Sequence, residues 1–196
     1  MTNNLRKTKL ITLALGCMAI CLAILLGVTF SGPTAYALEI DTSTTGNITV
    51  SDRTYAYTAA DKTLTLNGYN GGVIRLDGEN DVTVKLEHGT TNTITLSDSA
   101  VTEDQYGVYA AGNLTVTGTG NGTLNINMDI SGAGDEITTE YGKALYGLYA
   151  KNLTINGEIN VNVNLISNGF SCGMFATGDI TVAEKANVDI LSLIHI

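Results

Sequence analysis

Two groups of residues in this chain have types and spacings suited to chemistry. Asp77-Gly78-Glu79-Asn80-Asp81 gathers three carboxylates around a glycine turn, and hard carboxylate oxygens at that density are what Ca²⁺ binds. Asp77, Glu79 and Asp81 are therefore the candidate calcium ligands, although the segment lacks the spacing and closing glutamate of an EF-hand loop. The second group is Tyr109, Tyr149 and Phe175, which recur at one position of a repeated motif. Flat rings in a row offer sugars a surface for C–H and hydrophobic contact. They do so only if they face solvent; turned inward, the same rings form a core stack.

Little else in the chain is chemically equipped. His88 and His195 are the only histidines, and Cys172 is the only cysteine beyond residue 37. That argues against a histidine-rich zinc site, a disulfide framework or a Ser-His-Asp triad. Cys172 has no basic neighbour to activate it, so its expected place is the core, as a small hydrophobe. The 196 residues carry ten Lys and Arg against 19 Asp and Glu, a net charge of −9. Arg6, Lys7 and Lys9 lie in a leader without acids, so the remainder stands near −12. A surface that acidic argues against nucleic acid, whose phosphates demand cations, and against anionic lipid. The part present is expected to be non-catalytic, with calcium the one cofactor its residues allow.

The elements that must position these residues repeat. Gly72-Val73-Ile74, Gly107-Val108-Tyr109-Ala110, Gly147-Leu148-Tyr149-Ala150 and Gly173-Met174-Phe175-Ala176 each lead to an Asp/Asn-apolar-Thr-apolar stretch, at Asp81, Asn113, Asn152 and Asp179. A third stretch follows: Thr93–Leu96, Leu124–Asn127, Ile159–Val163 and Ala186–Ile190. Alternation at period two with β-branched Val, Ile and Thr predicts strands, and Asn67-Gly68, Asn70-Gly71-Gly72, Asp77-Gly78 and Asn121-Gly122 predict turns. The Asn-x-Thr sequons at Asn47, Asn113, Asn121 and Asn152 are part of this pattern. An antiparallel sandwich and a solenoid both accommodate such strands. Repetition with insertions at Ser97 to Gln105 and Gly132 to Glu140 favours the solenoid. The fold class expected is all-β, a right-handed parallel β-helix following an N-terminal signal segment.

The ends read differently. Arg6, Lys7 and Lys9 precede the apolar run Leu10 to Phe30, and Ala35-Tyr36-Ala37 follows Pro33, the three-part layout of a secretory signal cleaved after Ala37. The run is also long enough to span a bilayer, so an uncleaved membrane anchor is the alternative for residues 1–37. Residues 38–54 are read as a lead-in or cap and 55–190 as the repeats. Leu191-Ser192-Leu193-Ile194-His195-Ile196 is what CTG TCT CTT ATA CAC ATC encodes, a transposase end used in shotgun libraries. Residues 191–196 are therefore expected to be adapter sequence, and the repeats to be truncated.

The Gly-Val-Tyr-Ala and Gly-Leu-Tyr-Ala motifs before Asn-Leu-Thr-Val/Ile, with Ala60-Asp61-Lys62-Thr63-Leu64-Thr65-Leu66-Asn67-Gly68-Tyr69, resemble the repeats of secreted β-helix proteins of Gram-positive gut and cellulolytic bacteria. Some of these are carbohydrate-binding, calcium-containing domains shaped like pectate lyases. The resemblance covers roughly Tyr55 to Ile190. It implies an extracellular solenoid that binds acidic or plant polysaccharide or cell-wall glycan, or a structural, adhesin-like stalk presenting a downstream domain. Pectate-lyase-like catalysis would need a basic residue beside several calcium-binding acids, and no such constellation recurs.

Overall fold

The computed structural model describes residues 37–43, 47–49, 54–97, 103–131 and 144–194. The apolar run Leu10 to Phe30, the choice between cleavage and anchoring, the Gly132 to Glu140 insertion and the last two residues lie outside the described residues. Every regular element among the described residues is a strand. β1 (Leu38–Asp41) is followed by a hairpin pair, β2 (Asn47–Thr49) and β3 (Tyr55–Thr58), then by β4 (Thr63–Leu66) and β5 (Asn70–Gly71). Four circuits of three strands come next. They are β6 (Ile74–Asp77), β7 (Val82–Leu86) and β8 (Thr91–Ser97); β9 (Gln105–Ala110), β10 (Leu114–Gly118) and β11 (Gly122–Asp129); β12 (Leu145–Ala150), β13 (Leu153–Ile155) and β14 (Ile159–Ser167); and β15 (Ser171–Ala176), β16 (Ile180–Val182) and β17 (Asn187–Ile194).

Each circuit visits three sheets in the same order. The first sheet stacks β1-β6-β9-β12-β15, the second β16-β13-β10-β7-β4-β3-β2, and the third β17-β14-β11-β8-β5. All pairs are parallel except β2–β3 and β3–β4, so strands adjacent in a sheet come from successive circuits and not from hairpins. The antiparallel sandwich is thereby set aside. The lead-in does more than cap: β1 is a full member of the first sheet, paired with β6. The antiparallel cap on the second sheet runs on to Thr58. Asn70-Gly71, expected as a turn, is instead the short strand β5 paired with Thr93 and Ile94.

Parallel stacking turns each strand position into a column with a step of about 4.8 Å. Inward positions are mostly apolar, the buried polar exceptions among the described residues being Thr42, Asn92 and Ser167. Val84, Val116 and Ile155 stand in register on the second sheet and Ile94, Ile126 and Val163 on the third, all at 0–2% exposure and joined in one core. Asn92 is completely buried, and it is satisfied: its Oδ1 accepts the Tyr69 N–H at 2.9 Å and its amide donates to Thr123 O and Thr90 Oγ1. The columns open at β16 and β17, where inward-facing Ile180, Val182 and Ile190 are 40–43% exposed. β17 follows the common alternation as far as Ile190. Beyond it, Ser192 occupies the column of Leu96, Met128 and Leu165, and Leu191 and Leu193 point out.

Chain length varies at one corner. Third-sheet strands connect to first-sheet strands through residues 98–104, 130–144 and 168–170, whereas the other two corners keep two to four residues in every circuit from β6 onward. Short corners are held by column chemistry. At the first-to-second corner Asn152 donates to Asn113 Oδ1 at 2.6 Å and accepts the Asp179 N–H at 2.8 Å.

Candidate functional site

The outer surface of the first sheet is aromatic over β9, β12 and β15, and charged over β1 and β6. In β9 and β12 Val108, Ala110, Leu148 and Ala150 are completely buried, and Tyr109 and Tyr149 point the other way. The column Tyr109–Tyr149–Phe175 therefore faces solvent. Its rings are nearly parallel, with centroids 5.5 Å and 5.2 Å apart and interplanar angles of 18° and 15°. Parallel rings at that separation touch at about 3.5–4.0 Å only by sliding past one another. They lie like roof tiles, and each of the three residues is partly exposed.

A second column stands beside the first. Tyr106 and Tyr146 stack at 5.3 Å and 10°, and their rings meet those of Tyr109, Tyr149 and Phe175 edge to face at 5.1–5.4 Å. Phe170, on the 168–170 corner, adds a tilted ring 5.9 Å from Tyr146 and is 54% exposed. Strict alternation hides this column, because residues three apart on a strand should face opposite ways. The glycines remove that constraint. Gly107 and Val108 are both turned inward, as are Gly147 and Leu148, and the pairing register passes over Gly107, Gly147 and Gly173. A Cβ on Gly107 would sit 2.5 Å from Ile126 Cγ2, and one on Gly147 2.4 Å from Gly173 O and 2.5 Å from Val163 Cγ1. Glycine is needed there for lack of room. The signal available in the sequence was the repeated Tyr-Gly-x-Tyr.

Electrostatics sharpen the site. Ile74, aligned by sequence with Tyr109, is buried and pairs with Val108; the column position belongs to Arg75. The Arg75 guanidinium lies 4.9 Å over the Tyr109 ring, a cation–π contact. Its Nε donates to Asp77 Oδ1 at 2.8 Å. Partial burial is the largest single influence on Arg75 and opposes its charge, but the hydrogen bond to Asp77 and the charges of Asp77, Tyr109 and Glu39 together outweigh it, and its pKa stands above the usual value. Burial, followed by the negative charge of Asp104, raises the pKa of Tyr106 and of Tyr146. Asp104 is fixed by accepting the Ala144 N–H at 2.9 Å. The phenol oxygens of Tyr106, Tyr109, Tyr146 and Tyr149 make no hydrogen bond to the described residues.

The expected calcium ligands do not converge. Asp77 is turned to Arg75, and among the described residues no three His, Cys, Asp or Glu side chains form a metal-holding group. The Asp77–Asp81 turn has another task. Asn80 Nδ2 donates to Thr42 O and Oγ1, each at 3.2 Å, and Thr42 Oγ1 donates to Asp77 O at 2.7 Å. Gly78, at φ 100°, has no room for a Cβ beside Thr42 Oγ1. The turn clasps the end of β1. Cys172, expected in the core, is half-buried and follows Tyr146 in the outer column, its Sγ 3.1 Å from Met174 O.

No protein-family model, curated protein or solved structure matches this chain.

Proposed function

We propose that this chain is a right-handed parallel β-helix, exported to the cell exterior, that binds carbohydrate without transforming it. The β-helix reading rests on three sheets visited in constant order by parallel strands with one common core. Export rests on the charged, apolar and small-residue layout of the first 37 residues. It is supported by β1 beginning at Leu38, the residue after the expected cleavage point. The observation that carries the function is the solvent-facing array of Tyr106, Tyr109, Tyr146, Tyr149, Phe170 and Phe175. Aromatic faces with unoccupied hydroxyls suit sugar rings, which present apolar C–H faces and hydroxyl rims together. Tyr109→Ala combined with Tyr149→Ala is expected to abolish retention on insoluble cellulose or polygalacturonate gel while unfolding remains cooperative. Undiminished retention of a folded double variant rejects the array as the binding face.

A structural stalk is the second reading. It is favoured by Thr63, Thr83, Thr115, Thr154 and Thr181, which stand in register as an unbroken outer column on the second sheet. If the native protein is retained on neither matrix, this reading replaces the first.

A further inference from the structure

We infer that the ligand of the aromatic face is a linear, extended glycan lying along the direction in which the strands stack, gripped along its length, one sugar unit per circuit. The inference rests on the carbohydrate reading above and narrows it. Along the stacking direction the array supplies three near-parallel rings in one column and two in the next, with centroid steps of 5.2–5.5 Å. Along a strand it supplies only one pair in β9, Tyr106 and Tyr109 inclined at 62°, and one in β12, Tyr146 and Tyr149 inclined at 78°. A chain of sugars running across the strands therefore meets a partly exposed ring again at each of β9, β12 and β15. The step, set by a strand spacing of about 4.8 Å, is close to the length of one extended pyranose unit.

Tyrosine hydroxyls come with each step of β9 and β12, leaving donors and acceptors for the sugar hydroxyls. Asp104 lies on one side of the array, and Lys151, exposed and directly after β12, lies on the other. At the β6 end the lane is closed by Arg75, whose guanidinium already covers Tyr109 and is pinned by Asp77. Recognition is thus by periodicity over several units. A single sugar engages one ring and forfeits the rest.

The test is calorimetric titration of the protein with two size series, glucose through cellohexaose and galacturonic acid through its hexamer. Affinity is expected to rise about two- to tenfold for each unit added, as a ring contact worth about 0.5–1.5 kcal/mol implies, and to level off after the third unit. Tyr149→Ala, which removes the middle ring, should erase the gain with length while leaving weak binding of short sugars. Equal affinity for monomer and hexamer overturns the extended-glycan inference and leaves the carbohydrate reading standing. Failure of every member of both series to bind folded protein overturns both.

Discussion

The outer faces of the first and third sheets share one construction principle and reach opposite chemical states. Both project columns repeated at the strand spacing from a common apolar interior. On the third sheet two of the columns are largely amides and hydroxyls, several of which bond to one another. Asn162 donates to Asn125 Oδ1 at 2.9 Å, Asn160 to Thr123 Oγ1 at 3.4 Å and Asn187 to Asn160 Oδ1 at 3.5 Å. Much of that face's polar capacity is spent along the stack, where it adds to stability. On the first sheet the rings stack instead, and stacking does not use the tyrosine hydroxyls. Repetition alone therefore does not fix the character of a face; the side chain that is repeated does.

The largest expected effect tests what lies behind the rings. Gly147→Val places side-chain atoms against Gly173 O and Val163 and forces the first and third sheets apart. It should lower stability by about 3 kcal/mol or more, or prevent folding, as read from urea unfolding. A smaller loss would mean that the glycine column is not what lets two tyrosines share the outer face.

The third-sheet ladder is the next target. Asn162→Ala is expected to cost about 1 kcal/mol through the lost amide bond and to leave polysaccharide retention untouched. Lost retention with preserved stability would erase the contrast between the faces. The smallest effect is one of pH. The raised pKa of Tyr106 and Tyr146 means that the folded state holds these phenol protons more tightly than the unfolded chain, whose tyrosines ionise near pH 10. That contribution is complete below about pH 10 and is lost as pH climbs through the raised folded values. Replacing both by Phe should make the thermal midpoint fall less steeply above that pH, with Tyr57, also raised by burial, supplying what remains.

How much of this was legible follows from which side of the strand a residue occupies. Inward positions were readable, because a buried column favours apolar residues in every circuit; Asn92, in the column of Leu124 and Val161, is the departure. The Asp/Asn-apolar-Thr-apolar motif came out in the register observed, with Asp81, Asn113, Asn152 and Asp179 at equivalent corner positions. The other half of the repeat slipped by one residue in its first copy. Gly72 looked like the counterpart of Gly107, whereas Val73 holds that place and Ile74 aligns with Val108. Outward residues obey no such rule. Tyr106 and Tyr146 escaped notice because a glycine kink breaks period two, and Phe170 because it belongs to a corner. The acids of the Asp77–Asp81 turn suggested a metal because composition cannot tell a ligand cluster from a clasp whose asparagine reaches a threonine 38 positions away.

The corner between the third and first sheets takes segments as different as 168–170 and 130–144 without a change in the strands on either side. It also borders the rings: Phe170 lies in it, and Tyr106 and Tyr146 each stand one residue into the strand that follows. For protein engineering this is a natural grafting position. A loop of chosen sequence inserted between β14 and β15 would sit beside the aromatic columns with the interior undisturbed, so new surfaces could be built there by a library confined to one corner of the scaffold.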